Sequence, residues 1–312
     1  MILSRVVNVE FYLSVIKEKL SLPESFNWKE NKDYAMKIMK FIHYYINKRH
    51  QEMHPDKLAH LKNARQELVE FIKLCNSQAL IPEIAERFSK IENELDKYAS
   101  NGCVYLLRHP DKTKQPGRSL SALGVKQAKH VAEMIKEDIL LSPKKVRVVI
   151  RTSEIKRTKI FAKIIKHINK AKKIEKDVVV SLEEDKRLYQ GSFSQSVIDI
   201  YMRLCKEHGS QKGDYLTFKA WVNKKEGFDE EIKTLGIEDH AEVRRKVGEF
   251  VKNARKKVKD KEYYTIVVGI SHSWILDVWF LKYMAIQEIV GTAEYAKVEL
   301  DKFFYKRKWK WL

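Results

Sequence analysis

The sequence contains few cysteines, prolines and glycines, and it lacks any long uncharged hydrophobic run. Its 312 residues include 3 cysteines, 6 prolines and 11 glycines. The cysteines are far apart and form no CxxC pair, which argues against a disulfide framework and favours a reducing compartment. No window holds the roughly 18 uncharged apolar residues of a membrane-spanning helix. Residues 1–20 also lack the apolar block and cleavage site of a secretory signal. These absences predict a cytoplasmic protein without a membrane span.

The composition is that of a globular protein with a large positive charge. Hydrophobic residues make up 44% and charged residues 33%, which is enough to bury a core under a polar surface. The net charge is +19 and is unevenly distributed: residues 1–100 carry 16 basic against 14 acidic residues, and the remainder carries 45 against 28. A field of this sign attracts phosphorylated metabolites, nucleic acids or acidic proteins.

The N-terminal third of the chain is predicted to be helical throughout. Apolar residues in the segments 34–46, 58–74 and 84–98 recur at three- and four-residue spacing. Pro55 suits the first turn of the second helix. Residues 99–102 (Ala-Ser-Asn-Gly) are small and polar and mark a boundary. We therefore expect an α-helical domain over residues 1–99, of unknown role, that contacts a protein partner or mediates dimerisation.

After this boundary, short apolar runs alternate with helical segments. Residues 103–107, 146–150, 178–180 and 264–270 have the pattern of buried strands, and residues 123–139, 156–168 and 242–258 have helical periodicity. The alternation predicts an α/β fold, a three-layer α/β/α sandwich over residues 102–312. Residues 192–240 interrupt it with a mostly helical, aromatic-containing insert, which we expect to cap the ligand pocket.

Arginine and histidine residues follow three of the predicted strands. Arg108 and His109 follow the first, Arg151 and Arg157 lie at the end of the second, and His272 follows the 264–270 strand. Because open α/β sheets bind ligands at the carboxyl ends of their strands, we expect these side chains to converge on one crevice. Guanidinium groups match phosphate oxygens, and an imidazole can attack phosphorus. The grouping favours phosphoryl transfer through a phosphohistidine.

Four segments resemble, in order, motifs of the histidine phosphatase (phosphoglycerate mutase-like) superfamily. Residues 107–111 (Leu-Arg-His-Pro-Asp) are similar to its RHG-type motif, and residues 120–128 (Leu-Ser-Ala-Leu-Gly-Val-Lys-Gln-Ala) to its LTxxGxxQA helix start. Residues 153–162 resemble its SPLxRAxQTA segment, and residues 267–273 resemble the strand that delivers its second histidine. The resemblance covers roughly residues 102–305 and implies a phosphoglycerate mutase-like sandwich there, preceded by the small all-α domain.

The resemblance implies a role for each matched residue. His109 would be the nucleophile that becomes phosphorylated, and His272 would complete the pocket around the phosphoryl group. Arg108 and Arg157 would bind the phosphoryl oxygens, with Arg151 as an alternative to Arg157. Such enzymes need neither a metal ion nor another cofactor, and the implied substrate is a phosphorylated anion.

The sequence departs from the superfamily at the proton donor. Many members carry a glutamate after the third strand, in an L-x-E setting, but Gln190 stands at the corresponding place here. A glutamine cannot donate a proton as a general acid. Residues 187–192 are instead similar to the phosphohistidine-phosphatase branch, which lacks that glutamate. Asp111 is the alternative donor, and the acidic residues 183–185 lie nearby; the sequence leaves the choice open.

These observations favour a metal-independent phosphatase acting through His109, and they leave alternatives. The absence of glutamate at position 190 argues against a mutase, and the insert lysines at positions 212, 219, 224 and 225 favour a polyanionic substrate. The same missing glutamate would suit a catalytically degenerate binding or scaffold protein. The positive charge of residues 101–312 would suit a nucleic-acid-binding module.

Overall fold

The computed structural model describes residues 8–113, 119–169, 177–189, 195–225, 228, 238–281, 290–300, 302–305 and 308–311. Its helices are α1 (Val9–Ser21), α2 (Trp28–Arg49), α3 (Pro55–Asn76), α4 (Ile81–Tyr98), α5 (Ala122–Leu141), α6 (Lys156–Ile168), α7 (Gln195–His208), α8 (Ser210–Val222), α9 (His240–Lys257) and α10 (Ser273–Phe280). Its strands are β1 (Cys103–Arg108), β2 (Val146–Thr152), β3 (Val178–Glu184), β4 (Tyr264–Ser271), β5 (Tyr295–Glu299), β6 (Lys302–Tyr305) and β7 (Lys308–Trp311). Among the described residues, no helix contains an uncharged hydrophobic stretch of the length that a bilayer requires.

The strands of the described chain form one mixed sheet in the order β3-β2-β4-β1-β5-β6-β7. Strands β3, β2, β4 and β1 pair in parallel, and β5 to β7 extend the sheet with antiparallel pairs. Parallel neighbours need long crossover connections, and here helices provide them. The four predicted strands correspond to β1 to β4, so the predicted alternation of strands and helices is confirmed.

Both faces of the sheet are covered, because successive residues of its central strand β1 up to Leu107 are apolar and point alternately to the two faces. On β1, Tyr105 and Leu107 pack with α5 and α6 on one face. Val104 and Leu106 pack with α9 and α10 on the other face. The predicted three-layer α/β/α sandwich is therefore confirmed.

Helices α1 to α4 pack on the same side of the sheet as α5, and their buried side chains continue its apolar core. The three predicted helices of this region correspond to α2, α3 and α4, and Pro55 begins α3 as expected. The predicted boundary at residues 99–102 falls between α4 and β1. A Cβ atom on Gly102 would lie 1.7 Å from the Thr265 carbonyl oxygen, so only glycine fits where the chain enters the sheet.

Five charged side chains form a buried charge cluster where the N-terminal helices meet the sheet: Arg49, Lys57, Asp138, Lys297 and Glu299. Lys297 Nζ lies 3.3 Å from an Asp138 oxygen and 2.9 Å from a Glu299 oxygen. Lys57 Nζ lies 3.5 Å from Glu299, and Arg49 Nη1 lies 3.8 Å from Asp138. Because buried charges are tolerated only when paired, these contacts tie α2 and α3 to α5 and β5.

Asp138 is the centre of this cluster. The hydroxyls of Tyr45 and Tyr105 both donate hydrogen bonds to its carboxylate. Burial alone would raise the pKa of Asp138, but the charges of Lys297 and Arg49 lower it to about 2. The carboxylate is therefore ionised at neutral pH and serves as the shared acceptor for α2, β1 and β5.

Replacing Asp138 by asparagine should destabilise the whole protein. The change leaves Lys297 and Arg49 buried with one counter-charge fewer, for which we expect a loss of about 3–5 kcal/mol in the free energy of unfolding. Urea unfolding followed by circular dichroism measures this loss. Glu86→Gln breaks an exposed pair with Lys90 at 2.7 Å and is the control, expected to leave the midpoint nearly unchanged. An unchanged midpoint in Asp138→Asn would contradict the prediction.

Candidate active site

Three neighbouring parallel strands deliver the predicted site residues to one edge of the sheet. Strands β2, β4 and β1 lie side by side, and the last residue of β1, Arg108, is in register with the last residue of β4, Ser271. The next residues along the two strands are His109 and His272. The backbone N–H of His109 donates to the Ser271 carbonyl at 3.0 Å, and the two imidazole centroids are 5.1 Å apart. The structure thus brings together two histidines that lie far apart in the sequence.

The imidazole of His109 is buried and held in one tautomer. It is 5% exposed, and its Nδ1 lies 2.7 Å from the Pro110 carbonyl oxygen. A carbonyl can only accept, so Nδ1 carries the proton and Nε2 carries the lone pair. Burial, together with the positive charge of Arg157, lowers the pKa of His109 to about 3. The side chain is therefore neutral at physiological pH.

The imidazole of His272 is held from both sides by residues of the 153–162 segment. Its Nδ1 lies 3.0 Å from Arg157 Nη2, and its Nε2 lies 3.1 Å from Ser153 Oγ. Because a guanidinium only donates, Nδ1 is the acceptor and Nε2–H donates to Ser153. The Ser153 hydroxyl in turn lies 2.9 Å from Thr158 Oγ1. Burial, with the positive charge of Arg157, holds the pKa of His272 well below its usual range.

The structure distinguishes the two arginines that follow β2. Arg151 donates to Glu183 on the neighbouring strand β3. Arg157, in the first turn of α6, is directed to His272 instead. Arg108 donates through Nη1 to the Val290 carbonyl. Arg108 and Arg157 are thus the arginines beside the histidines.

The segment 120–128 holds the loop that follows β1. The backbone N–H of Asp111 donates to Gln127 Oε1 at 2.9 Å, and Ser121 Oγ donates to Asp111 Oδ2 at 2.5 Å. Ser121 is also the N-cap of α5 and accepts from the Gly124 N–H at 2.9 Å. A Cβ atom on Gly124 would lie 2.0 Å from the Asp111 carbonyl oxygen. The residue types of this segment are therefore explained by contact with the loop that carries Asp111.

The other acidic residues near the site are engaged in ion pairs. Glu184 lies 2.6 Å from Lys159. Asp185 lies 2.6 Å from Arg187 and caps the short turn that follows β3. Gln190, at which the sequence departs from the superfamily pattern, lies outside the described residues.

The described part of the insert packs on the helix that begins at the site. Trp274, in the first turn of α10, stacks on Trp221 of α8 with ring centroids 5.7 Å apart. Of the insert lysines, Lys224 pairs with Asp239 at 3.0 Å. Residues 192–194, 226–227 and 229–237 of the insert lie outside the described chain.

The structure adds two charged residues that the sequence analysis did not single out, Lys112 and Asp214. The positive charge of Lys112 contributes to the lowered pKa of both His109 and His272. Asp214 is half-buried on α8, and the charges of Arg108 and Lys112 act on the pKa of its carboxyl. Lys112 directly follows the 107–111 segment, so its position in the sequence could have indicated that it lies near the site. Asp214 has no motif around it.

Comparison with known proteins finds similar structures. No known family profile matches the sequence, and no curated protein matches it. A phosphoglycerate mutase from Bacillus anthracis str. Sterne is similar with a TM-score of 0.45 and 12% identity, over 69% of this chain and 93% of that chain. A mycobacterial glucosyl-3-phosphoglycerate phosphatase is similar with a TM-score of 0.39 and 14% identity, over 64% and 90% of the two chains. Its complex with VO3 is similar with a TM-score of 0.39 and 16% identity, over 64% and 92%.

Proposed function

We propose that this protein is a phosphatase that hydrolyses a phosphomonoester or phosphoramidate through a phosphohistidine on His109, without a metal ion. The state of His109 is the observation that supports this most strongly. Its imidazole is neutral, its Nδ1–H is held by the Pro110 carbonyl at 2.7 Å, and its Nε2 lone pair is available to attack phosphorus. Arg108, Arg157 and His272 lie at the same edge of the sheet.

In the first step, His109 Nε2 forms a bond to phosphorus while the bond from phosphorus to the leaving oxygen breaks. The guanidinium groups of Arg108 and Arg157 stabilise the negative charge on the phosphoryl oxygens. His272 accepts from Arg157 at 3.0 Å and so orients that guanidinium. An acid must give a proton to the leaving oxygen, and Asp111 is the donor that the motif resemblance suggests.

In the second step, water attacks the phosphohistidine, inorganic phosphate leaves and neutral His109 is restored. We favour hydrolysis over a mutase reaction because Gln190 replaces the glutamate that a mutase would keep. The excess of basic residues in positions 101–312 favours a substrate that carries further negative charge besides the transferred group.

Replacing His109 by alanine should abolish phosphate release. Without the imidazole no phosphoenzyme forms, so we expect the rate on a panel of phosphomonoesters to fall by about 10³-fold or more. Colorimetric detection of phosphate, in buffer with EDTA and no added metal, measures the rate. His130→Ala is the matched control because His130 is an exposed histidine on α5, and it should retain wild-type activity.

Other results of the same assay would contradict the proposal. Release that persists in His109→Ala would mean that another residue is the nucleophile, and loss of activity in EDTA would mean that a metal ion is required. Absence of release by a folded wild type would favour the scaffold hypothesis. Tight, strongly salt-dependent binding to unrelated RNA or DNA in that case would favour the nucleic-acid-binding module.

The imidazole of His109 should stay neutral well below the pH at which an exposed histidine is protonated. Its pKa is lowered to about 3, chiefly by burial, against an ordinary value of about 6.5. NMR of ¹⁵N-histidine-labelled protein between about pH 8 and 5 should show no titration of the resonance that His109→Ala removes. Below about pH 6.5 the unfolded chain takes up this proton and the folded chain does not, so acidification lowers stability. A titration midpoint near 6.5 would contradict the lowered pKa of His109.

A further inference from the structure

The proposed reaction needs a proton donor, and the acids that the sequence offers near the site already have partners. Asp111 Oδ2 accepts from Ser121 Oγ at the start of α5. Glu183, Glu184 and Asp185 each form an ion pair with a basic side chain. A carboxyl held as an ion-pair partner is a poor source of protons. Residues 183–185 are thus committed to basic side chains, which leaves Asp111 and any further acid at this edge of the sheet.

Asp214, near the start of α8, is an acid that the tertiary structure brings to the site. Trp274 Nε1 donates to Asp214 Oδ1 at 2.9 Å, and Trp274 lies two residues beyond His272. The Trp274 ring stacks on Trp221 at 5.7 Å and is therefore held in place. These contacts link the Asp214 carboxyl to the turn that carries His272.

The backbone that carries Asp214 is also constrained. A Cβ atom on Gly213 would lie 2.4 Å from the Cys205 Cα atom, so α7 and α8 touch backbone to backbone next to Asp214. The buried Thr217 hydroxyl donates to the Gly213 carbonyl at 2.7 Å. A closely packed helix pair therefore presents the carboxyl, as the positioning of a catalytic group requires.

The charges around Asp214 suit a group that alternates between acid and carboxylate. Burial raises the pKa of its carboxyl above the ordinary value, although the Trp274 hydrogen bond and the charges of Arg108 and Lys112 oppose the shift. The charges of both Asp214 and Arg108 also act on the pKa of Tyr201, so these side chains share one neighbourhood. Within the described chain Asp214 forms no ion pair, unlike residues 183–185.

We propose that Asp214 is the general acid that protonates the leaving group, a catalytic residue supplied by the insert in place of the glutamate that Gln190 replaces. The inference rests on the proposed function. When His109 Nε2 bonds to phosphorus, the breaking P–O bond leaves its electron pair on the leaving oxygen, which takes the Asp214 proton. The resulting carboxylate then takes a proton from the water that attacks phosphorus. The electron pair of the P–N bond returns to His109 Nε2, and both groups regain their starting states.

The test compares two esters that differ in their leaving group. Dinitrophenol departs without a proton, whereas a simple alcohol needs one, so only the alkyl phosphate depends strongly on the general acid. Asp214→Asn keeps an oxygen that can accept from Trp274 Nε1 but has no proton to give. We expect its kcat/KM to fall about 10²–10⁴-fold on the alkyl phosphate and far less on dinitrophenyl phosphate.

Two matched variants and a pH profile separate this role from a structural one. In Asp111→Asn, kcat/KM should fall by one and the same factor on the two esters. Asp214→Glu should recover part of the activity on the alkyl phosphate. In the wild type, kcat/KM on the alkyl phosphate should decrease as pH rises and Asp214 loses its proton. This decrease should be absent in Asp214→Asn. Thermal melting of each variant confirms that it is folded.

Three outcomes would overturn the inference, and they are distinguishable. Equal losses on both esters in Asp214→Asn would mean that Asp214 only positions Trp274. A loss confined to the alkyl phosphate in Asp111→Asn would assign the donor to Asp111. If the wild type releases no phosphate through His109 from either ester, the proposed function itself fails. Dinitrophenyl phosphate reveals this failure because its leaving group departs without a proton.

Discussion

The pairing of buried charges around Asp138 is the constraint on which the arrangement of the chain depends. Each charge removed from water costs several kcal/mol unless it finds a partner, and the partners here come from α2, α3, α5 and β5. Strand β1 runs through the same region, where Tyr105 donates to Asp138. The N-terminal helices are thereby held against the strand whose end carries Arg108 and His109. The N-terminal helices and the candidate site are therefore both supported by strand β1 and its contact with Asp138.

Around Asp138 the buried side chains stay charged, whereas at the carboxyl end of β1 burial favours the neutral form of the histidines. It lowers the pKa of both His109 and His272, whereas an arginine keeps its charge in such surroundings. The site therefore combines neutral imidazoles with the permanent positive charge of Arg108 and Arg157. In the proposed reaction, the arginines attract the anion and His109 attacks it, so the two tasks fall on different residue types.

The insert is connected to the site through one aromatic contact. Trp274 stacks on Trp221 and donates to Asp214, so the first turn of α10 fixes both the apolar packing and a polar group of the insert. The same turn begins at His272. In the proposed reaction, the insert anchored in this way supplies the proton that the leaving group needs.

The alternation of strands and helices and the two site histidines could be predicted from the sequence alone, because periodicity and short motifs are local properties. The sequence also showed which side chains follow each strand, and that was enough to expect convergence at one edge. Which charged side chains are buried, and which groups they contact, depends on the packing of distant segments and could not be predicted from local patterns. Lysine is usually a surface residue, yet Lys297 is buried because Asp138 and Glu299 lie beside it. Asp214 has no motif at all, and its place beside the site depends on a contact across two helices that no local pattern encodes.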